Sequence, residues 1–177
     1  MREWIPVSTS PKGRLALAAV REFGTRPFEQ VTVGELSAAA QVTTGALYHH
    51  FGSKLGLYAF VREDVERRLL DRMEGAIAAA GPASDRSAAV MAALLVGFDF
   101  AVRESFLRIL GEPPAGAEGD RLAQLLSAGA AGASPVLGRV LAAAWRAALL
   151  AVAEGAEPDQ ARAALAALEF RVPALPA

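Results

Sequence analysis

Two histidines stand side by side at His49 and His50, the only ones in the chain, and Lys54, one of only two lysines, follows four residues later. Imidazole and ammonium groups can hold a metal, move a proton or bind an anion, and spacing decides between these. Neighbouring residues on a helix point about 100° apart, so His49 and His50 cannot easily share one metal ion. The chain has no cysteine to complete a site. It also lacks a glycine-rich phosphate loop after a strand and a carboxylate pair placed for general acid and base work. No catalytic or metal centre and no cofactor are expected. Hydrogen bonding is the chemistry left to these groups, from Thr43, Thr44, Tyr48 and the two imidazoles.

The elements that must position them are two short helices. Thr32 followed three residues later by Glu35 is a capping box, flanked by Val31 and Leu36 at the spacing of a hydrophobic staple. Leu36 and Ala39 lie one turn apart and face inward. Gln41-Val42 interrupts the pattern, and Thr43 is the N-cap of a second helix. There Leu47 and Phe51 share the inner face, which turns Thr44, Gly45, Tyr48 and His49 outward. Helix, tight turn, helix is the arrangement whose second helix reads a major groove. Ahead of it, Ser10-Pro11 opens a helix whose stripe of Leu15, Ala18, Ala19 and Phe23 supplies a back wall, with Gly24 as its stop. After Ser53, Leu57, Val61, Val65, Leu69, Met73 and Ile77 recur at every fourth residue up to Gly81-Pro82, which predicts a rod roughly 40 Å long. Lys54 stands in its first turn, where free backbone N–H groups and the helix dipole favour an anion.

The run Leu36, Ala39-Ala40, Val42-Thr43, Gly45, Leu47-Tyr48, His50-Phe51, Ser53-Lys54, in order and without a gap, resembles the DNA-binding module of the TetR family of bacterial transcriptional regulators. The resemblance covers roughly the first third of the chain, and the remainder carries no motif. It implies an all-α protein: an arm over residues 1–9, a three-helix helix-turn-helix domain over 10–55, and a helical ligand-binding and dimerisation domain over 56–177. It also implies that Tyr48, His49, His50 and Lys54 touch phosphates or base edges, with Thr32, Thr43, Thr44 and Gly45 completing the DNA-facing set. Two positions depart from the family pattern. Gln41 stands where the turn usually has glycine, and a non-glycine residue at positive φ is strained, so a differently shaped turn is expected. Ala46 replaces the usual hydroxyl of the second helix and offers nothing to a phosphate.

Charge is mildly asymmetric in the direction that DNA binding needs. Residues 1–58 carry six Lys/Arg against four Asp/Glu, and residues 59–177 carry twelve against fifteen. This predicts phosphate contact through a few placed groups rather than a basic surface. The chain is 53% hydrophobic, and no apolar run is read as long enough to cross a bilayer. Met-Arg-Glu-Trp-Ile-Pro at its start is charged and unlike a signal peptide, so a cytoplasmic location is expected.

In the body, the spacing predicts a helix from Ser84 to about Leu110 that is apolar nearly all round, with Asp99 facing water or pairing with Arg103 one turn on. A Pro/Gly loop from Gly111 to Gly119 and a short helix from Arg121 to Ser127 follow. Two alanine-rich helices come last, from Ser134-Pro135 to about Glu154 and from Pro158 to Val172. These two are expected to pair with their copies in a homodimer, with Leu141, Leu149, Leu165 and Leu168 supplying apolar area. Met91, Leu95, Phe98, Asp99, Phe106 and Trp145 are the candidate ligand-binding residues for a small, mainly apolar, metal-free effector. The reading is a regulator of double-stranded, palindromic DNA, a repressor released by that effector, with no membrane partner. The alternative is a constitutive or architectural helix-turn-helix protein with no effector.

Overall fold

Caps set the boundaries of most helices. The computed structural model describes residues 9–81, 85–114, 119–130 and 135–170. Nine α-helices lie among them: α1 Pro11–Thr25, α2 Val33–Ala39, α3 Thr44–Phe51, α4 Lys54–Ala80, α5 Arg86–Arg103, α6 Leu107–Gly111, α7 Arg121–Gly129, α8 Pro135–Ala153 and α9 Pro158–Ala166. One 3₁₀ turn, Phe28–Gln30, precedes α2. The expected arm and the predicted cap Ser134 fall almost wholly outside the described residues, as does the chain beyond 170. Ser10 caps α1 by accepting from the Gly13 N–H at 3.0 Å, and Ser53 caps α4 by accepting from the Gly56 N–H at 2.9 Å. The α4 stripe from Leu57 to Met73 is fully buried.

α1, α2 and α3 form a head against the first turns of α4, and the later helices form a body around its remainder. One apolar cluster runs through both, from Leu15 in α1 to Leu165 in α9. At the seam, the end of α1 lies against the turn between α5 and α6. Gly24 is not the stop of α1, which continues to Thr25. Instead it is buried, and a Cβ there would collide with the carbonyl oxygen of Ser105. Glycine is needed because two backbones touch.

The predicted helix from Ser84 to Leu110 is two helices. Ser105 takes φ 59, its N–H donates to Val102 O, and the Phe106 N–H reaches back to Ala101 O at 2.8 Å. That left-handed closure ends α5 and lets α6 turn into the core. Phe106 follows it inward and meets Phe100 edge to face at 5.5 Å. Asp99 does not pair with Arg103. It holds Arg162 of α9 in a two-pronged pair at 2.7 and 3.0 Å, while Arg103 turns to Glu104 at 3.4 Å. On α4, Arg67 pairs with Asp64, and the Arg68 guanidinium lies 5.6 Å from the Phe100 and Phe106 ring centres.

Two expectations for the last helices also fail. α9 ends at Ala166 rather than near Val172, and Leu141, Leu149 and Leu165 are inside the protomer, leaving only Leu168 partly exposed. They sit on the faces that α8 and α9 turn toward the other body helices. The absence of any membrane-length apolar run needs correcting as well. α8 has nineteen residues and a mean hydropathy of 1.7, enough by length and composition to span a bilayer, with only 33% of it buried in the protomer. It carries Arg139 and Arg146, and Trp145 on its inner face donates from Nε1 to Leu94 O at 3.0 Å.

Candidate nucleic-acid interface

The capping box is made as its spacing requires. The Glu35 N–H donates to the Thr32 hydroxyl at 3.2 Å, and the Thr32 N–H donates to the Glu35 carboxylate at 2.8 Å. Arg26 adds a contact to Glu35 at 3.1 Å, one to Glu22 at 2.9 Å, and donates to Gln30 O at 2.7 Å. The bonds from Thr32, then Arg26, hold the Glu35 carboxyl at a pKa of about 2. Val31 and Leu36 are both fully buried, as a staple would be, whereas Ala39, expected inside, is exposed and Ala40 takes the inner position.

The turn keeps the backbone that glycine would have chosen. Gln41 sits at φ 53, so the expectation of a differently shaped turn is wrong. The Val42 N–H donates to Ser37 O and the Gln41 N–H to Ala38 O, both at 3.0 Å, and these bonds hold the strained residue in place. The Arg14 side chain, donating from Nε to Ala40 O at 2.9 Å, ties this turn to α1.

On α3, Leu47 is fully buried and anchors the helix, while Thr44, Gly45, Tyr48 and His49 are exposed on the opposite side. Tyr48 is 54% exposed although it is a large aromatic residue. His49 and His50 lie edge to face with ring centres 5.0 Å apart, and His50 is half-buried. Thr43 accepts from the Ala46 N–H at 3.3 Å, so its hydroxyl caps α3, as that of Thr32 caps α2.

Lys54 is held inward. Its ammonium donates to Phe28 O and Val31 O, each at 2.8 Å, and lies 4.1 Å from the Phe28 ring centre. Two of its three donors fasten the stretch ahead of α2 to the start of α4, leaving one for an outside acceptor. Lys12, which sequence reasoning passed over, lies 5.0 Å from the Phe60 ring centre and 5.8 Å from that of Phe51, at the end of α3. Its position on the solvent side of α1 gave no local signal of this contact.

An amphipathic second helix, anchored by one leucine and presenting hydroxyl, phenol and imidazole groups, is built to meet a polar groove. Residues 16–60 match the profile of the bacterial regulatory proteins of the tetR family. The whole chain is similar in fold to a TetR-like transcriptional regulator from Rhodococcus sp. RHA1, with TM-score 0.66 and 22% identity over 92% of this chain and 94% of that one. A TetR-family transcriptional regulator from Pectobacterium atrosepticum matches with TM-score 0.60 and 22% identity over 86% of each chain. The family match rests on residues 16–60, and over the rest of the chain the likeness to these regulators is one of fold. No curated protein matches it. TetR-family proteins are DNA-binding transcriptional regulators and not a family of enzymes.

The six effector candidates do not line one common space. Phe98, Phe106 and Trp145 are closed into the core, and Asp99 is at the surface with Arg162. Leu95 is half-buried, and Met91 lines a shallow groove beside Phe170. The sequence shows where apolar residues cluster but not which of them leave a space. Further open space in the body lies away from the candidates. A groove of about 570 Å³ is lined by Pro113, Pro114, Asp120, Val136, Arg139, Val140, Ala143 and Arg146. Asp120 and Arg146, 26 residues apart, form a two-pronged pair at 2.7 Å on each prong. Burial pushes the Asp120 carboxyl up, but the Arg146 guanidinium and the Ala123 N–H outweigh it and hold the carboxyl below its usual range.

Beside this groove the body is joined to the head. Arg62 of α4 donates to Glu112 O at 2.7 Å and to the Tyr58 hydroxyl at 3.1 Å, and that hydroxyl meets the Glu112 carboxylate at 3.3 Å. Burial, ahead of any charge, raises the Tyr58 pKa. The Tyr58 ring meets Phe23 and Phe28 of the head, each at 5.1 Å between centres.

Proposed function

We propose that this chain is a regulator of the TetR family that binds a palindromic duplex as a homodimer, with α3 of each protomer in a major groove, and that it is a cytoplasmic repressor released by a small effector in the body. The observation that carries the DNA reading is the outer face of α3. Thr44, Tyr48 and His49 are exposed together above buried Leu47, and an exposed tyrosine on a short helix is better suited to base edges and phosphates than to water. Thr32 and Thr43 serve through their caps and their exposed positions. His50 and Gly45 complete the face, and Lys54 contributes mainly by fastening α4 to the head.

Support for self-association comes from α8 and α9. Ala143 and Ala147 on α8 and Ala163, Ala164 and Ala166 on α9 are exposed, and small side chains let helices approach closely. A partner copy over that surface would cover much of the apolar helix that the protomer leaves bare. The constitutive alternative has one observation in its favour, the dispersal of the six effector candidates.

Quantitative binding to a library of palindromic duplexes tests the reading. Two protomers per duplex are expected, with half-sites about 34–36 Å apart or a multiple of that. Tyr48→Ala should cost about 1–3 kcal/mol on the preferred sequence and much less on unrelated DNA. Equal losses on all sequences would remove Tyr48 from base readout, and a single protomer per duplex would remove the dimer.

A further inference from the structure

The cations of the head differ in what they are attached to. Among the described residues these are Lys12, Arg14, Arg21, Arg26 and Lys54. Arg26 lies between the Glu22 and Glu35 carboxylates, at 2.9 and 3.1 Å, and they cancel its charge. Arg14 is fastened to Ala40 O and Thr9 O, and Lys54 to Phe28 O and Val31 O. Arg21 is exposed, but it stands nine residues beyond Lys12, about 13 Å along α1 and toward the end that meets Ser105 of the body. Lys12 is held by rings instead. Its ammonium lies 5.0 Å from the Phe60 ring centre and 5.8 Å from that of Phe51, and it has no hydrogen bond or ion pair among the described residues. A ring face attracts an ammonium without cancelling its charge, and it leaves N–H donors for an oxygen acceptor.

This position borders the face that α3 turns outward. Phe51 comes three residues after Tyr48 and seven after Thr44, so it lies on the same side of α3 as both, at the flank of the exposed face. The major groove is about 12 Å wide and a helix with its side chains about 10–12 Å across, so the two phosphate strands run along the flanks of a helix seated there. One of the two rings that hold the Lys12 ammonium belongs to α3 itself, and the other, Phe60 of α4, packs against it at 5.3 Å between centres. The charge is therefore placed relative to α3.

We infer that Lys12, and not Lys54, is the principal phosphate-binding cation of the head, with its ammonium on the backbone phosphate that runs along the Phe51 flank of α3. The inference rests on the DNA reading above and adds to it a residue of α1, outside the two helices that form the reading motif. A phosphate contact of this kind fixes how α3 sits in the groove and carries no sequence information. Lys54 shows what a structural lysine looks like in the same head: its donors go to carbonyls, whereas those of Lys12 do not.

The test measures binding of the full chain to the duplex selected from the palindromic library and to an unrelated duplex, across a range of salt. Lys12→Gln should weaken both complexes by the same factor, roughly tenfold for each bound protomer near 0.1 M salt, and lower the slope of log affinity against log salt by about 0.9 for each. Lys12→Arg, which keeps the charge, should retain the slope, and Lys54→Gln should change it less than Lys12→Gln does. Melting temperature is followed alongside, and Lys12→Met, which keeps an apolar stem over the rings, carries the same measurement if Lys12→Gln melts early. An unchanged slope in the neutral variants would overturn the proposal and leave Lys12 a packing residue. A loss confined to the selected duplex, or a larger slope change at Lys54, would overturn it too. A chain that binds no duplex at all would instead bring down the regulator reading, and this proposal with it.

Discussion

The head and the body are both helical, yet they are held together over very different distances along the chain. Thr32 with Glu35, Thr43 with Ala46 and Ser53 with Gly56 are each three residues apart, and they set where α2, α3 and α4 begin. In the body the decisive contacts are long: Trp145 to Leu94 spans 51 residues, and Arg162 to Asp99 spans 63. Local bonds form at little cost in chain entropy and can be written into a motif. Long ones require loops to close first and leave no pattern in the sequence. Two side chains are exceptions inside the head: Lys54 reaches back 26 residues to Phe28 and 23 to Val31, and Arg14 reaches forward 26 to Ala40.

Three substitutions would break or sharpen that contrast. The largest effect is expected at Trp145→Ala, which empties the centre of the body and strands the carbonyl of Leu94. It should cost about 3–5 kcal/mol in denaturant unfolding. A loss below about 1 kcal/mol would mean that the body does not depend on this long contact.

Lys54→Ala comes next. Removing the ammonium leaves two carbonyls without their charged donor, and the head should lose about 1–3 kcal/mol, read as earlier melting. The slope of DNA affinity against salt should change by no more than the one contact its remaining donor can make. An unchanged melting temperature with a reduced salt slope would return Lys54 to the role of phosphate ligand.

Gln41→Gly has the smallest effect. Left-handed backbone costs a non-glycine residue roughly 1–2 kcal/mol, against roughly 0.5–1 kcal/mol for the extra freedom glycine has when unfolded. A net gain of about 0.5–1 kcal/mol in stability is expected by thermal unfolding. Destabilisation would show that the exposed Gln41 side chain makes a contact of its own.

The caps, the staple, the α4 stripe and the outward face of α3 were legible because each repeats at the period of a helix or lies within one turn of its partner. By itself the sequence determined an all-helical chain, the approximate starts of its helices apart from α6, and a head whose second helix carries Thr44, Tyr48 and His49 outward. Tertiary structure alone decided that α5 stops at Ser105, where Phe106 turns into the core, and that Leu141, Leu149 and Leu165 face the protomer's own helices. It also decided that Lys54 is fastened inward and that Phe98 and Trp145 are closed into the core rather than lining a space. An apolar residue at helical spacing reports only that it will be covered. What covers it, and where a gap is left, depends on the packing of segments far apart in the chain.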